Sequence, residues 1–362
     1  MKFLFLVQGE GRGHMTQAIS FAEILAELGH ELVAVGVGSS HRRKIPDFFL
    51  NGINCPIVSF ESPNFVCDKE QKKILLTQTI LSNLVRLPTF FESLKTIQKL
   101  VEAHQPDVIL NFYELLGGLH QLVYRPNQRY WVIGHQYLIA HESFPFAKGK
   151  PIQKLLFKVN THLTAIGAEK WLALSFRSLK QSKNPKLTVL PPLLRKQLFE
   201  LLPEEGEFIL AYMVNQGYAN ELIIQAKAHP NLKIEAFWDN KSHSESFQAL
   251  PNLVFHPIND RLFLEKMSAC KAYISTAGFE SICEAMYFQK PVLMIPVEGQ
   301  YEQECNAIDA ALAGAGLGYD SFDLEALEAY LNKQYRRQHS WVTQSRDIFI
   351  KLVFQSTESY AN

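Results

Sequence analysis

Short apolar runs alternating with amphipathic segments constrain this chain more than any other feature. In the first half, KFLFLV, ELVAVGV, DVILNF and YWVIG read as strands. Between the first two lies TQAISFAEILAELG, whose apolar residues recur at three and four positions and which closes on Gly29. A second series follows LTVLPPLLRK: FILAYM, LKIEAFW, LVFH, AYIS and PVLMIP are strands, with helices that include GFESICEAMYF and EQECNAIDAALAGAG. Strand and helix in alternation predict parallel sheets covered by helices. The expected fold class is α/β, in two doubly wound domains over residues 1–194 and 195–340, joined near Pro191 and Pro192, a stiff non-helical hinge. The terminal segment 341–362 contains SWVTQSRDIFIKLVF, an amphipathic helix expected to pack back onto the first domain. The region from about 60 to 105 reads as largely helical, with no clear place in either series.

A chain of 362 residues is long for one core, and Lys+Arg equal Asp+Glu at 36 each. That balance leaves no overall field to draw in nucleic acid and points to a small or mixed-polarity partner. Five scattered cysteines make no Cys-x-x-Cys pair and no zinc spacing, which fits a reducing compartment. The opening apolar run is far shorter than a signal segment, and no run approaches the ~18 residues of a membrane span. The expected location is cytoplasmic, with at most peripheral contact at the inner face of a membrane.

The first βα turn is VQGEGRGH, with Gly9, Gly11 and Gly13 followed by His14. A dinucleotide loop wants a glycine where His14 stands and an acidic residue at the end of the next strand, yet ELVAVGVGSS ends in glycine and serine. The alternative is a loop whose glycines bring backbone close to a ligand while His14 faces the crevice as a general base. A plain solvated helix start is the third reading.

The second half is more specific. In STAGFESICEAMYFQKPVLMIPVEGQYEQECNA, Thr276, Ala277 and Gly278 open a helix whose free N–H groups suit a diphosphate. Ser281 and Glu284 share a face, and Glu284 can take both hydroxyls of a ribose. Glu302 and Gln303, at the start of the next helix, can meet hydroxyls of a sugar. Taken singly, Thr276 also reads as a helix cap, and Glu302 as a carboxylate placed for the helix dipole.

The order and gaps resemble the donor segment of GT-B glycosyltransferases, most closely the group of UDP-glycosyltransferases and the N-acetylglucosaminyltransferase of peptidoglycan synthesis. The matching residues are Thr276-Ala277-Gly278, Ser281 to Ala285, Pro291 to Pro296, and Glu302-Gln303-Glu304-Cys305-Asn306-Ala307. GEGRGH resembles that group's opening loop, whose histidine acts as base, a role that falls on His14. The resemblance implies two Rossmann-like domains facing across a cleft, the first for the acceptor and the second for the nucleotide sugar. It also implies inverting transfer of a hexose-type sugar, UDP-linked, to an acceptor hydroxyl. Asn215, Gln216 and Gly217 would flank the phosphates, and Gly13 and Ile258 complete the donor set. No D-x-D motif is present, so the resemblance implies no metal and no cofactor beyond the sugar nucleotide.

Two departures stand out. Thr276 replaces the histidine that many of these enzymes carry, and Asn111 stands where an aspartate often orients the base, leaving Glu114 as its expected substitute. The acceptor is open between a small molecule and a lipid-linked one. His135 and Gln136, with His141, either line its pocket or fill a polar loop. HRRKIPDFF and KGKPIQKLLFKV interleave basic and apolar residues, marking either contact with anionic lipid or a solvated basic face with the apolar side chains turned to the core. An epimerase or hydrolase, or a non-catalytic sensor of sugar nucleotides, are the competing readings.

Overall fold

The computed structural model describes residues 1–40, 44–64, 76–213, 217–238, 245–332 and 339–354. These group into two compact units, one of the described residues up to Arg195 together with Gln344 onward, the other of Lys196–Thr343.

In the first unit the chain runs β1 (Lys2–Gln8), α1 (Arg12–Glu27), β2 (Glu31–Ser39), α2 (Asp47–Gly52), β3 (Ile57–Glu61), α3 (Leu76–Val85), α4 (Leu87–His104) and β4 (Val108–Phe112). It continues through α5 (Leu115–Tyr124), β5 (Arg129–Gly134), a 3-10 turn at His135–Ala140, α6 (Pro151–Thr164), β6 (Lys170–Leu174) and β7 (Leu187–Leu190). The seven described strands pair in the order β3-β2-β1-β4-β5-β6-β7, all parallel. Right-handed crossovers put α1 and α2 on one face, since β1 to β3 run one way along the sheet, and α4, α5 and α6 on the other, since β3 to β7 run back. Accordingly α4 packs on β2 and β3, and α5 lies between α4 and α6. With both faces covered, Phe3 to Val7 of β1 are wholly buried, which is why that strand is a continuous apolar run.

The second unit runs β8 (Phe208–Met213), α7 (Gly217–Ala228), β9 (Lys233–Trp238), β10 (Phe247–Leu250), β11 (Leu253–Pro257), α8 (Asp260–Ala269), β12 (Ala272–Ser275), α9 (Phe279–Tyr287), β13 (Val292–Met294), α10 (Tyr301–Leu312), β14 (Gly316–Gly318), α11 (Leu324–Leu331) and α12 (Ser340–Thr343). Its described strands pair as β10-β11-β9-β8-β12-β13-β14, with only the β10–β11 pair antiparallel. Helix α13 (Ser345–Val353) belongs to the first unit. There Phe349 meets Phe21 of α1 edge-on at 5.4 Å, and Arg346 pairs with Glu27. No described helix is long and apolar enough to cross a membrane.

Each sheet has one topological switch point, where connections leave adjacent strands in opposite directions. In the first sheet it falls between β1 and β4, in the second between β8 and β12. Open parallel sheets bind ligands outside the carboxyl ends of the strands at such points.

Candidate functional site

The β1–α1 turn lies at the first switch point. Gly9 packs against the end of β2: its N–H donates to the Gly38 carbonyl at 2.7 Å, and a Cβ on Gly9 would stand 2.8 Å from that oxygen. Gly11 is the N-cap of α1 in extended conformation, with no side-chain cap, and a Cβ there would meet nothing nearer than 4.0 Å. Gly13 and His14 follow in the first turn of the helix, leaving N–H groups free to face a ligand.

Two amides hold His14. Its Nδ1 lies 3.4 Å from Gln17 Oε1, one helical turn on, and the Gln136 amide nitrogen lies 3.4 Å from its Nε2. Since Gln17 Oε1 only accepts and the Gln136 nitrogen only donates, the network selects the Nδ1–H tautomer and leaves a lone pair on Nε2. Burial pulls the His14 pKa down to about 4, against a smaller raising effect of the Gln17 hydrogen bond. At neutral pH the ring is therefore uncharged and able to accept a proton.

The ring stacks on Tyr113, with centroids 5.7 Å apart and planes 23° from parallel. Tyr113 has φ of 61°, a left-handed conformation unusual for a bulky residue and found where surrounding structure imposes it. Its hydroxyl bonds Thr161 Oγ1 at 2.8 Å and accepts from Asn160 Nδ2 at 3.1 Å. Tyr113 is thus a shelf for the imidazole, anchored to α6. Nothing in its sequence context announces it, because the signal is a backbone angle.

The structure corrects the expected partnership of Glu114 with His14. Glu114 is the N-cap of α5, and its Oε1 accepts from Leu116 N at 3.0 Å and Ser62 Oγ at 2.5 Å. Among the described residues no carboxylate hydrogen-bonds to His14. The Glu114 carboxyl lies against Gly38, where a Cβ would stand 2.1 Å from it, and burial raises its pKa to about 7. Asn111 is equally committed. Its Nδ2 donates to Tyr130 Oη at 2.6 Å, Glu114 O at 2.9 Å and Thr164 O at 3.2 Å, while its Oδ1 accepts from Glu114 N at 2.8 Å. An aspartate has no N–H to donate, so this turn demands the amide.

Gln136 meets His14, but His135 does not. His135 is buried, its Nδ1 bonds Leu174 O at 2.8 Å, and its ring packs on Phe176 and Phe144. The structure gives it a packing role. His141 is also buried, with Nε2 on Lys180 O at 2.9 Å. Beside the Glu114 cap lies an apolar cavity of about 480 Å³ lined by Pro63, Phe90, Phe91, Leu116, Leu119 and Val123. The stretch HRRKIPDFF divides: Phe49 is fully buried and Phe48 lies 4.3 Å beneath the Arg12 guanidinium, while residues 41–43 lie outside the described residues.

In the second unit, β12 leads through Thr276 and Ala277, both buried, to Gly278, the N-cap of α9. No side chain caps this helix, and a Cβ on Gly278 would meet nothing within 4 Å. The terminus thus combines a positive dipole end with open space at Gly278. Asn306 of α10 pins the turn, its Nδ2 donating to Ala277 O at 3.0 Å. Ser281 is half-buried and Glu284 buried, three residues apart along α9. Glu302 and Gln303 are half-buried in the first turn of α10, but Gln303 Oε1 accepts from Val297 N at 2.9 Å, fixing the preceding loop. Ile258 follows β11 and precedes Asn259, which caps α8 through Leu262 N at 3.0 Å. Gly217 opens α7 after β8, the other strand at the switch point, whereas Asn215 and Gln216 lie outside the described residues.

A family model described as Glycosyl transferase family 1 matches residues 1–334. Among solved structures, the spinosyn rhamnosyltransferase SpnG complexed with spinosyn aglycone is similar at a TM-score of 0.62 and 15% identity, over 99% of this chain and 100% of that one. LpCGTa in complex with UDP gives 0.61 at 11% identity, over 96% and 93%. Acinetobacter baumannii MurG gives 0.53 at 15%, over 96% and 95%. The twin-sheet fold is the GT-B fold of these proteins. No curated protein matches the chain by sequence.

Proposed function

Since this chain belongs to the glycosyl transferase family 1, we propose that it is an inverting transferase that moves a hexose-type sugar from a UDP-linked donor to an acceptor hydroxyl. The observation that carries this reading is the held tautomer of His14, whose unprotonated Nε2 accepts from the Gln136 amide in a glycine turn at a switch point. The acceptor hydroxyl replaces the Gln136 N–H at His14 Nε2; its oxygen attacks the anomeric carbon, its proton passes to Nε2, and the bond from that carbon to the diphosphate oxygen breaks with its electron pair leaving on the nucleotide. The positive end of the α9 dipole offsets the charge that builds on the diphosphate, with Glu284 and Ser281 on the ribose and Glu302 and Gln303 on the sugar. Charge stabilisation by helix and backbone is the reading's reason for assigning no metal. The imidazolium so formed donates through Nδ1 to the Gln17 amide oxygen.

The UDP held by LpCGTa and the aglycone held by SpnG support a nucleotide donor and a small-molecule acceptor. The apolar cavity beside Glu114 favours an acceptor with an apolar body, small or lipid-linked.

Thermal shifts with UDP-, TDP- and GDP-sugars identify the donor, because a ligand that binds only the native state raises its apparent stability. The variant His14→Ala is expected to keep that shift while losing about 10²–10⁴ in transfer rate. Full transfer by the variant contradicts the base assignment. Rapid release of free sugar or an epimer without acceptor supports the hydrolase or epimerase reading, and donor binding with no turnover on any acceptor supports a sensor.

A further inference from the structure

Helix α6 is amphipathic the wrong way round for a soluble surface. A helix covering a sheet ordinarily turns its apolar stripe inward and its polar face to water. Here Ile152, Leu155, Leu156 and Val159, at spacings of three, four and seven, are 64%, 61%, 40% and 46% exposed. The inward face is polar: Asn160 and Thr161 bond Tyr113, while the Thr164 carbonyl accepts from Asn111 and Tyr130 and its hydroxyl meets Tyr137 at 2.9 Å. The neighbouring α5 buries Leu116 at its start but otherwise Gly117, Gly118, His120 and Gln121, and exposes Leu122 and Val123. The close fit of the two helices is fixed by Gly118, where a Cβ would stand 1.8 Å from the Leu163 carbonyl oxygen.

Charge says what covers this face. Between Glu142 and Glu169 the chain carries Lys148, Lys150, Lys154 and Lys158 and no acidic residue, in a protein of zero formal net charge. Lys154 and Lys158 run half-buried along one side of α6, their ammonium groups 4.1 and 4.9 Å from the Phe146 ring centroid. Long lysine stems beside an exposed apolar stripe suit the plane where acyl chains meet anionic headgroups. We propose that α6 and the adjoining end of α5 dock this protein on an anionic lipid bilayer, with the apolar stripe in the acyl boundary and the lysines among the headgroups. Because the inward face of α6 holds Tyr113, the same helix that meets lipid supports the shelf on which His14 rests. Sugar transfer is not a premise of this inference.

Flotation of the full chain with vesicles of phosphatidylcholine, alone or with about one third phosphatidylglycerol, tests it. Binding is expected to the anionic vesicles only, and to weaken with salt as exposed charges are screened. A lysine at an anionic surface contributes about fivefold to partitioning, so Lys154→Gln with Lys158→Gln is expected to lower it about 25-fold. Leu155→Ser with Val159→Ser, which alters only exposed positions, is expected to lower it at least about tenfold without changing the melting temperature. The inference is overturned if the parent ignores anionic vesicles, or if either variant binds them as the parent does. It is also overturned if the parent self-associates through this face, with the serine variant dissociating the oligomer and leaving vesicle binding unchanged. Because donor-induced thermal shifts do not depend on this face, they distinguish failure here from failure of the transferase reading.

Discussion

The β1–α1 and β12–α9 turns are built alike and finished differently. Each leaves a strand at a switch point and enters a helix through a glycine N-cap with extended backbone and no side-chain cap. The first is backed by other groups: Gly9 is pressed on Gly38, the buried Glu114 carboxyl lies against the same glycine, and His14 is held by Gln17, Gln136 and Tyr113. The second is open at Gly278 and held from one side by Asn306. A turn that must aim a side chain needs neighbours to fix it, whereas one that receives a charged ligand needs unfilled space and free N–H groups.

The largest effect expected from separating these roles comes from Glu114→Gln. The Glu114 carboxyl has its pKa raised from 4.5 to about 7 by burial. Its contribution to stability is therefore fully present below the unfolded value near 4.5 and lost as pH rises through about 7. An amide escapes that loss, so the variant should exceed the parent by up to about 3 kcal/mol at pH 8, the gain shrinking toward pH 5, in urea titrations at both pH values. Transfer should survive, because Glu114 supports the turn without touching His14. Loss of transfer would restore Glu114 to the chemistry and break the contrast.

A smaller effect separates the glycines. Gly9→Ala drives a methyl into the Gly38 carbonyl and should cost about 1–3 kcal/mol in chemical denaturation. At Gly278, alanine has room and a compatible backbone, so stability should change by about 0.5 kcal/mol or less. The methyl would still occupy the space offered to the diphosphate, weakening sugar-nucleotide binding about tenfold by calorimetry. Unaltered binding would remove the α9 terminus from the donor site.

The legible parts of the fold were the central strands. KFLFLV, DVILNF, FILAYM and AYIS are covered on both faces and so read as unbroken apolar runs. The illegible ones are mainly edges: β3, β7, β10 and β14 each end a sheet, where one ladder is missing and little apolar length is needed. In β14, Gly-Leu-Gly carries almost no side-chain signal, and Gly316 is there because a Cβ would meet the Val292 carbonyl at 1.8 Å. Within the site, His14 and the segment from Thr276 to Asn306 could be picked out by residue type and spacing. What holds them could not. Tyr113 is marked by its backbone angle, Gln17 matters through rotamer, and Asn111 reads as a departure until its three acceptors are seen.

The central claim is that His14 waits as a neutral imidazole with its proton on Nδ1. Long-range nitrogen–proton correlation spectra of nitrogen-15 histidine-labelled protein, assigned against His14→Ala and followed from pH 8 to pH 4, read tautomer and titration together. A protonated Nδ1, an unprotonated Nε2 and a midpoint near 4 are the predicted result, since burial lowers this pKa and keeps the ring uncharged until then. A proton on Nε2 at neutral pH, or a midpoint at the ordinary value near 6.5, would contradict it.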